Sequence, residues 1–266
     1  MSLAATEIER RIVGTRFAGK VVVLPSIDST NSELRRRDNA AANGLVLIAE
    51  YQSAGRGRRG RDWISPAGEG LHLSLLWRTR LAIVPTRWTF AAAVAACDAL
   101  RDVGASQAEI KWPNDLLIQG KKVGGILVEM RSSTEQEQTL YLGLGVNVHT
   151  AAHSFEIAEL PDAGSLRSCT PSGIVGGRAA VAGQFLRRLG HWIDRLADDV
   201  GWNELRNDWL QRSPSARDRR VQLLLDGETT GSGRSDGIAD DGGLIVVQDD
   251  GQRRVLRQVE SVRFGE

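Results

Sequence analysis

The chain has 266 residues, with Lys+Arg 34 against Asp+Glu 33 and a formal net charge of +1 at pH 7. That balance supplies no general field for coating a polyanion, and the length allows one large domain or two smaller ones. Two cysteines, Cys97 and Cys169, make no disulfide framework, and Cys97, in the apolar run from Phe90, reads as a reduced core thiol. Glu7, Glu9, Arg10 and Arg11 stand where a secretory segment needs apolar residues, and no run approaches the roughly 18 residues of a spanning helix. A soluble, reduced, cytoplasmic protein with no membrane partner is expected.

Val21 to Leu24 is a short β-branched run ended by Pro25, and Asp28-Ser29-Thr30-Asn31 follows as a turn and helix-start signal. Leu45 to Ala49 is of strand length and leads into a glycine- and arginine-rich loop. Leu71, Leu73 and Leu75 alternate with His72, Ser74 and Leu76, the period of a strand. Pro85 to Val103 predicts a helix closed by Gly104. Pro113-Asn114-Asp115 marks a turn; Leu116 to Ile118, Val123 to Met130 and Thr139 to Val148 predict strands, the first two joined by a Gly120-Lys121 hairpin. Val181, Phe185, Leu189, Trp192 and Leu196 predict one long helix from Gly177 to Ala197 that packs on a sheet. Beyond Arg217, short runs at Val221 to Leu225, Gly231 to Gly237, Leu244 to Val247 and Val255 to Phe264 alternate with Asp-Gly turns, the texture of a small β-barrel.

The most informative segment is Gly55 to Trp63, Gly-Arg-Gly-Arg-Arg-Gly-Arg-Asp-Trp. Glycines let backbone N–H groups approach an anion, arginines add planar forks for carboxylate or phosphate, and Trp63 offers a stacking face. Residues 55–60 formally fit Gly-x-Gly-x-x-Gly, but arginines at those places would crowd a dinucleotide's pyrophosphate. Three further polar clusters sit at strand ends or loops: Ser29-Thr30-Asn31, Lys111 to Asp115, and Asn147. Taken alone, Ser29 and Thr30 read as helix caps before they read as ligand contacts, and Asn114 and Asp115 as ordinary turn residues. Lys111 is distinguished by its apolar neighbours Ile110 and Trp112, because a strand turns it to the face opposite both.

Absences narrow the chemistry. His72, His149, His153 and His191 show no metal-ligand spacing, so no dedicated metal site is expected, and neither a Gly-x-Ser-x-Gly elbow nor a Walker phosphate loop is present. Activation of a carboxylic acid by ATP fits what remains, since it needs positioning and cationic neutralisation but no side-chain nucleophile.

Gly-Arg-Gly-Arg-Arg-Gly-Arg-x-Trp at 55–63, Lys-Trp-Pro-Asn-Asp at 111–115, Lys-Val-Gly-Gly-Ile-Leu-Val-Glu at 122–129 and Gly-Leu-Gly-Val-Asn-Val at 143–148 resemble the biotin protein ligases in content, order and spacing. The stretch from Gly233 to Leu244 resembles that family's small C-terminal barrel. The resemblance implies an α+β fold: a mixed sheet with flanking helices, of the class II synthetase/SH2-like ligase type, over residues 1–216, then an SH3-like β-barrel over 217–266. It implies biotin as substrate, ATP and Mg2+ as cofactors, biotinyl-5′-AMP as intermediate, and a lysine of a biotin carboxyl carrier domain as acceptor. Site residues carried over by motif are Ser29, Thr30, Asn31, Gln52, Arg56, Gly57, Arg58, Lys111 and Gly125 around biotin. Arg58, Arg61, Trp63, Lys111, Asn114 and Asn147 are carried over to the nucleotide, with Lys111 and Arg58 catalytic. Magnesium is expected to arrive with the phosphates, without a strong protein site.

Some members of that family carry an N-terminal winged helix that binds DNA. The residues before Val21 are too few for one, so no DNA-binding domain and no repressor activity are expected. The expected state is a monomer or a weak homodimer. Two alternatives stand beside this reading: a lipoate or octanoate ligase of the same architecture, which on this reading lacks the arginine run, and a nucleic-acid module that uses the arginines on phosphates.

Overall fold

The computed structural model describes residues 2–81, 83–134, 137–225, 228–257 and 261–264. The chain opens with α1 (Ala5–Arg11), β1 (Val21–Leu24), α2 (Thr30–Arg37), β2 (Val46–Ala49) and β3 (Gly70–Thr79). It continues through α3 (Pro85–Asp102), β4 (Ala108–Lys111), β5 (Asp115–Ile118), β6 (Lys121–Thr134) and β7 (Glu137–Asn147). Four helices follow, α4 (Ala152–Ile157), α5 (Leu166–Cys169), α6 (Gly177–Ile193) and α7 (Asp199–Gln211). The chain closes with β8 (Arg217–Leu225), β9 (Glu228–Ile238), β10 (Leu244–Gln248), β11 (Arg253–Leu256) and β12 (Ser261–Phe264).

Strands β1 to β7 form one sheet in the order β1-β2-β3-β7-β6-β5-β4. Only β1 and β2 run parallel; the other pairs are antiparallel, so the sheet is mixed. Its two faces differ because β3 alternates. Leu71, Leu73 and Leu75 join the main core with α3 and α6, while Leu76 packs with Leu34 of α2, Leu47 and Tyr141 on the opposite face. Alanines along α3 and Ala179 and Ala182 on α6 are buried where those two helices pack, while Gly183 of α6 leaves room for Arg11 of α1. The α2 face of the sheet is the one left for a site.

The expected long helix ends early. α6 stops at Ile193, and Leu196 is buried in the turn beyond it. Asp198 then caps α7 by accepting from the Gly201 N–H at 2.7 Å. Periodicity carried the sequence reading through that turn, and it left α7 unassigned although Trp202, Leu205 and Trp209 bury one face of it.

Strands β8 to β12 form a second, five-stranded antiparallel sheet, ordered β11-β10-β9-β8-β12. The predicted single run from Val255 to Phe264 is two strands at opposite edges of this sheet; residues 258–260 between them lie outside the described residues. This sheet docks through its β9–β10 turn: Trp112 Nε1 donates to Gly242 O at 3.1 Å and Trp202 Nε1 to Asp240 O at 2.8 Å. Phe90 stacks on Trp209 with centroids 4.7 Å apart beneath that contact.

Candidate active site

The floor of the site is a row of register partners crossing five strands: His72 on β3, Gly145 on β7, Gly125 on β6, Asp115 on β5 and Lys111 on β4. Partners in adjacent strands point to one face, and strands lie roughly 4.8 Å apart, so Lys111 and His72 stand on the order of 19 Å from each other. The second and third positions, Gly145 and Gly125, have no side chains, which lowers the floor between His72 and Asp115 into a trough, with Trp63 lying over Gly145. Neighbouring rows pair Ser74 with Gly143 and Gly70 with Asn147. A Cβ on Gly143 would come 3.0 Å from Asn31 Oδ1, and one on Gly145 would come 2.7 Å from the Trp63 indole. Gly-Leu-Gly-Val-Asn is therefore a period-two track along β7: space for Asn31, space for Trp63, then the Asn147 side chain.

One end of the trough is a buried hydroxyl–amide cluster. Ser29, Thr30, Asn31, Gln52 and Ser74 are buried. Gln52 Oε1 accepts from the Thr30 backbone N–H at 2.8 Å and lies 3.1 Å from Thr30 Oγ1, and Gln52 Nε2 donates to Ser65 Oγ at 3.1 Å. Ser74 Oγ lies 2.6 Å from Asn31 Oδ1 and 2.7 Å from Thr30 Oγ1. Asn31 Oδ1 can only accept, so the single Ser74 proton goes there and Ser74 Oγ faces Thr30 as an acceptor. Asn31 Nδ2 donates to Glu129 Oε2 at 2.8 Å, which fixes the orientation of the amide. Ser29 occupies the N-cap of α2, but its side chain makes no capping hydrogen bond. The capping reading thus fails for its hydroxyl.

The glycine–arginine loop forms the rim. Trp63 N donates to Gly55 O at 2.9 Å and Gly57 N to Arg61 O at 2.7 Å, which closes the loop on itself around a 3-10 turn, Arg58–Gly60. Gly60 sits at φ 70 and Arg59 at φ 58, left-handed backbone that glycine tolerates and arginine does not favour. Arg56 Nη2 donates to Ser32 Oγ at 2.7 Å and lies 3.9 Å from Glu129. Arg58 reaches inward and donates to Asn114 Oδ1 at 2.9 Å. Burial pulls the Arg58 pKa down, with Asp115 opposing that pull, so a cation is held where water stabilises it poorly and an anion would relieve it. Arg61 is exposed.

The far end is the turn from Lys111 to Asp115. Lys111 leaves β4 on the trough face while Ile110 and Trp112 are buried on the other, as the alternation required. Asn114 Nδ2 donates to Ile126 O at 2.7 Å, so with Arg58 on its oxygen this amide braces the arginine and ties the turn to β6. Asp115 pairs with Lys122 at 2.6 Å, and the Lys122 ammonium lies 5.8 Å from the Trp63 ring centroid. Asn147 Nδ2 donates to Gly164 O at 3.0 Å, on the segment that follows α4.

Four atoms along this trough lack hydrogen-bond partners although they are buried: Trp63 Nε1, both ring nitrogens of His72, and Asn147 Oδ1. Native proteins rarely strand such atoms, and a cluster of them marks a place prepared for ligand. Burial, reinforced by the Arg178 charge, holds the His72 pKa down at about 4, so the ring is neutral at pH 7.

The structure thus brings Ser29, Thr30, Asn31 and Gln52 together at one end, and Arg56, Gly57, Arg58, Lys111, Gly125, Trp63 and Asn114 along the trough; Asn147 lies at its margin and Arg61 points to solvent. A Cβ on Gly125 would meet only ordinary contacts, the nearest at 3.6 Å, so its neighbours do not require glycine there. Sequence reasoning passed over Ser74, His72 and Glu129. The first two are the polar members of an alternation it had identified, and that strand's second face was the available signal. Among the described residues no group of three or more His, Cys, Asp and Glu side chains could hold a metal, and no helix is long and apolar enough to cross a membrane.

Residues 23–147 match the Biotin/lipoate A/B protein ligase family and residues 218–260 the Biotin protein ligase C terminal domain. The chain is 34% identical over 241 residues to the bifunctional ligase/repressor BirA of Escherichia coli, covering 90% of this chain and 73% of that protein. It is 34% identical over 253 residues to the biotin--[acetyl-CoA-carboxylase] ligase of Paracoccus denitrificans, covering 91% of this chain and all (100%) of that one. The biotin protein ligase of Aquifex aeolicus, solved with biotin and ATP, superposes with a TM-score of 0.77 at 25% identity over 93% of this chain and 100% of that chain. With two family matches in chain order and a relative 34% identical that is covered along its whole length, the chain belongs to the biotin protein ligase family.

Proposed function

We propose that residues 1–216 hold biotin and ATP in the trough and that the sheet from 217 onward completes the enzyme. The chain is a biotin protein ligase. In the first step a biotin carboxylate oxygen attacks the α-phosphorus of ATP, the bond to the β-phosphate bridging oxygen breaks, and pyrophosphate leaves. In the second, the amine of a carrier-domain lysine attacks the acyl carbon of biotinyl-5′-AMP, an amide forms, and AMP departs. The observation that carries the assignment of residues is the row from the buried cluster's edge at His72, across Gly145 and Gly125, to Lys111.

The ureido group of biotin needs donors and acceptors away from solvent, and the buried Ser29, Thr30, Asn31 and Gln52 cluster offers these. Its carboxylate then points along the glycines, between Arg58 and Lys111, where two cations offset the repulsion between a carboxylate and a phosphate. Lys111 serves as the fixed charge on the α-phosphate through both steps. Trp63 covers Gly145 and supplies a flat face for the adenine, with Asn147 and Arg61 on the nucleotide side. Magnesium would arrive with the triphosphate and offset its charge, and Asn147 Oδ1, a neutral hard oxygen buried without a partner, would be the protein group suited to hold it.

The test is direct: incubate the protein with biotin, MgATP and a biotin carboxyl carrier domain, and weigh the carrier. A gain of one biotinyl group is expected. An unchanged mass with biotin alongside a lipoyl adduct with lipoate would overturn the reading in favour of the sister activity.

A further inference from the structure

Lys111 Nζ lies 5.8 Å from the centroid of the Phe264 ring, on β12 of the C-terminal sheet. We propose that Phe264 is a positioning residue for Lys111, holding its ammonium over an aromatic face so that the C-terminal sheet forms part of the adenylation site. The proposal rests on Lys111 being the cation at the α-phosphate.

The surroundings give this contact its meaning. The acid opposite Lys111 in register, Asp115, is engaged by Lys122 at 2.6 Å, and among the described residues no carboxylate pairs with Lys111 itself. A carboxylate partner would orient the ammonium but cancel its charge, and it would compete with phosphate for it. A ring face attracts the cation through its quadrupole and leaves the formal charge uncompensated. The neighbouring residue is fixed from the same sheet: Trp112 Nε1 donates to Gly242 O at 3.1 Å. Gly242 is at φ 82, and a Cβ there would collide with Thr86 of α3, so the turn sits against the helix without a side chain between them. β12 pairs with β8, Phe264 opposite Val221, so the ring projects from the sheet that carries the Gly242 turn. Two successive residues of the catalytic turn are thus gripped from one sheet, one at its indole and one at its ammonium.

The experiment compares single-turnover formation of biotinyl-adenylate by the full-length protein and its F264L, F264Y, K111A and K111A/F264L variants. F264L keeps an apolar side chain but loses the π face and should slow the step roughly 3- to 10-fold at saturating biotin and ATP, with unchanged KM for both. F264Y keeps the face and should stay within about twofold of the parent. In the K111A background F264L should add nothing. A parent-like rate for F264L, an equal loss in F264Y, or a full additional loss on top of K111A overturns the proposal. A parent-like rate for K111A instead sinks the Lys111 assignment itself. A second readout needs no variant of Phe264 to fold: the Lys111 ε-methylene resonance, assigned by its loss in K111A, should be shifted upfield by the ring current in the parent protein. A resonance at the ordinary lysine position overturns the proposal.

Discussion

The two halves of the site are built on opposite principles. The hydroxyl–amide pocket is buried, neutral and internally bonded: Ser74 holds Asn31, Glu129 fixes that amide, and Gln52 holds Thr30. The arginine rim is a short loop closed by two backbone hydrogen bonds, with Arg59 in left-handed backbone and Arg61 in solvent. A preformed neutral pocket costs little to order and recognises by shape and hydrogen bonding. Clustered cations repel one another, and an anion between them relieves that repulsion. On the proposed function, recognition falls to the first half and charge neutralisation to the second, and substitutions should separate accordingly.

The largest effect is expected at the charged end. Lys111→Ala should lower single-turnover adenylate formation by about 10² to 10³, the usual consequence of removing one preorganised charge, while the thermal midpoint stays near that of the parent. An unchanged rate would move the decisive charge elsewhere. Arg58→Ala comes next and should act on retention: biotinyl-adenylate should leave about 10- to 100-fold faster, because a charge-assisted clamp on the carboxylate and phosphate is gone. Trapping released adenylate by chromatography measures this, and equal release from both proteins would remove Arg58 from the clamp.

The neutral half should respond in binding instead. Ser74→Ala leaves Asn31 Oδ1 buried without its donor, and a stranded buried acceptor costs about 1 to 3 kcal/mol. The KM for biotin should rise about tenfold with kcat nearly unchanged. A fall in kcat at constant KM would show that the pocket and the rim are not separable in this way.

Much of this contrast was legible in the sequence, and unevenly. The rim announced itself because arginines interleaved with glycines are rare in a neutral chain, and Lys111 could be turned toward a pocket from Ile110 and Trp112 alone. Of the mixed sheet's strands, β3 was readable from period two and β1 and β2 from short apolar runs, while β4 was too short to assign. Their order was not, because the sheet is joined through β3 and β7, which pair His72 with Gly145 across a long stretch of chain that no local pattern encodes. The pocket suffered for the same reason: Ser74 and Asn31 are 43 residues apart, and only the β3–β7 register brings them over Gly143. α7 was a different failure, since Asp198 and the spacing of Trp202, Leu205 and Trp209 were present in the chain.

His72 belongs to the neutral floor yet can acquire charge, so it tests how dry that floor is, with the smallest expected effect on catalysis. It is 1% exposed, with Arg178 disfavouring its protonated form and Glu50 favouring it. Its folded pKa of about 4 lies below the ordinary 6.5. Between those values the unfolded chain binds a proton that the folded protein does not, so stability falls as pH drops from 6.5 toward 4 and is then level. The full difference is at most about 3 kcal/mol. His72→Phe keeps a ring, removes the titration and also removes two stranded nitrogens, so urea unfolding at pH 7.5 should show it no less stable than the parent. Between pH 6.5 and pH 4.5 the parent should lose stability relative to the variant. Parallel curves across that interval would mean that water reaches His72, and that the floor is wet where the contrast between the two halves needs it dry.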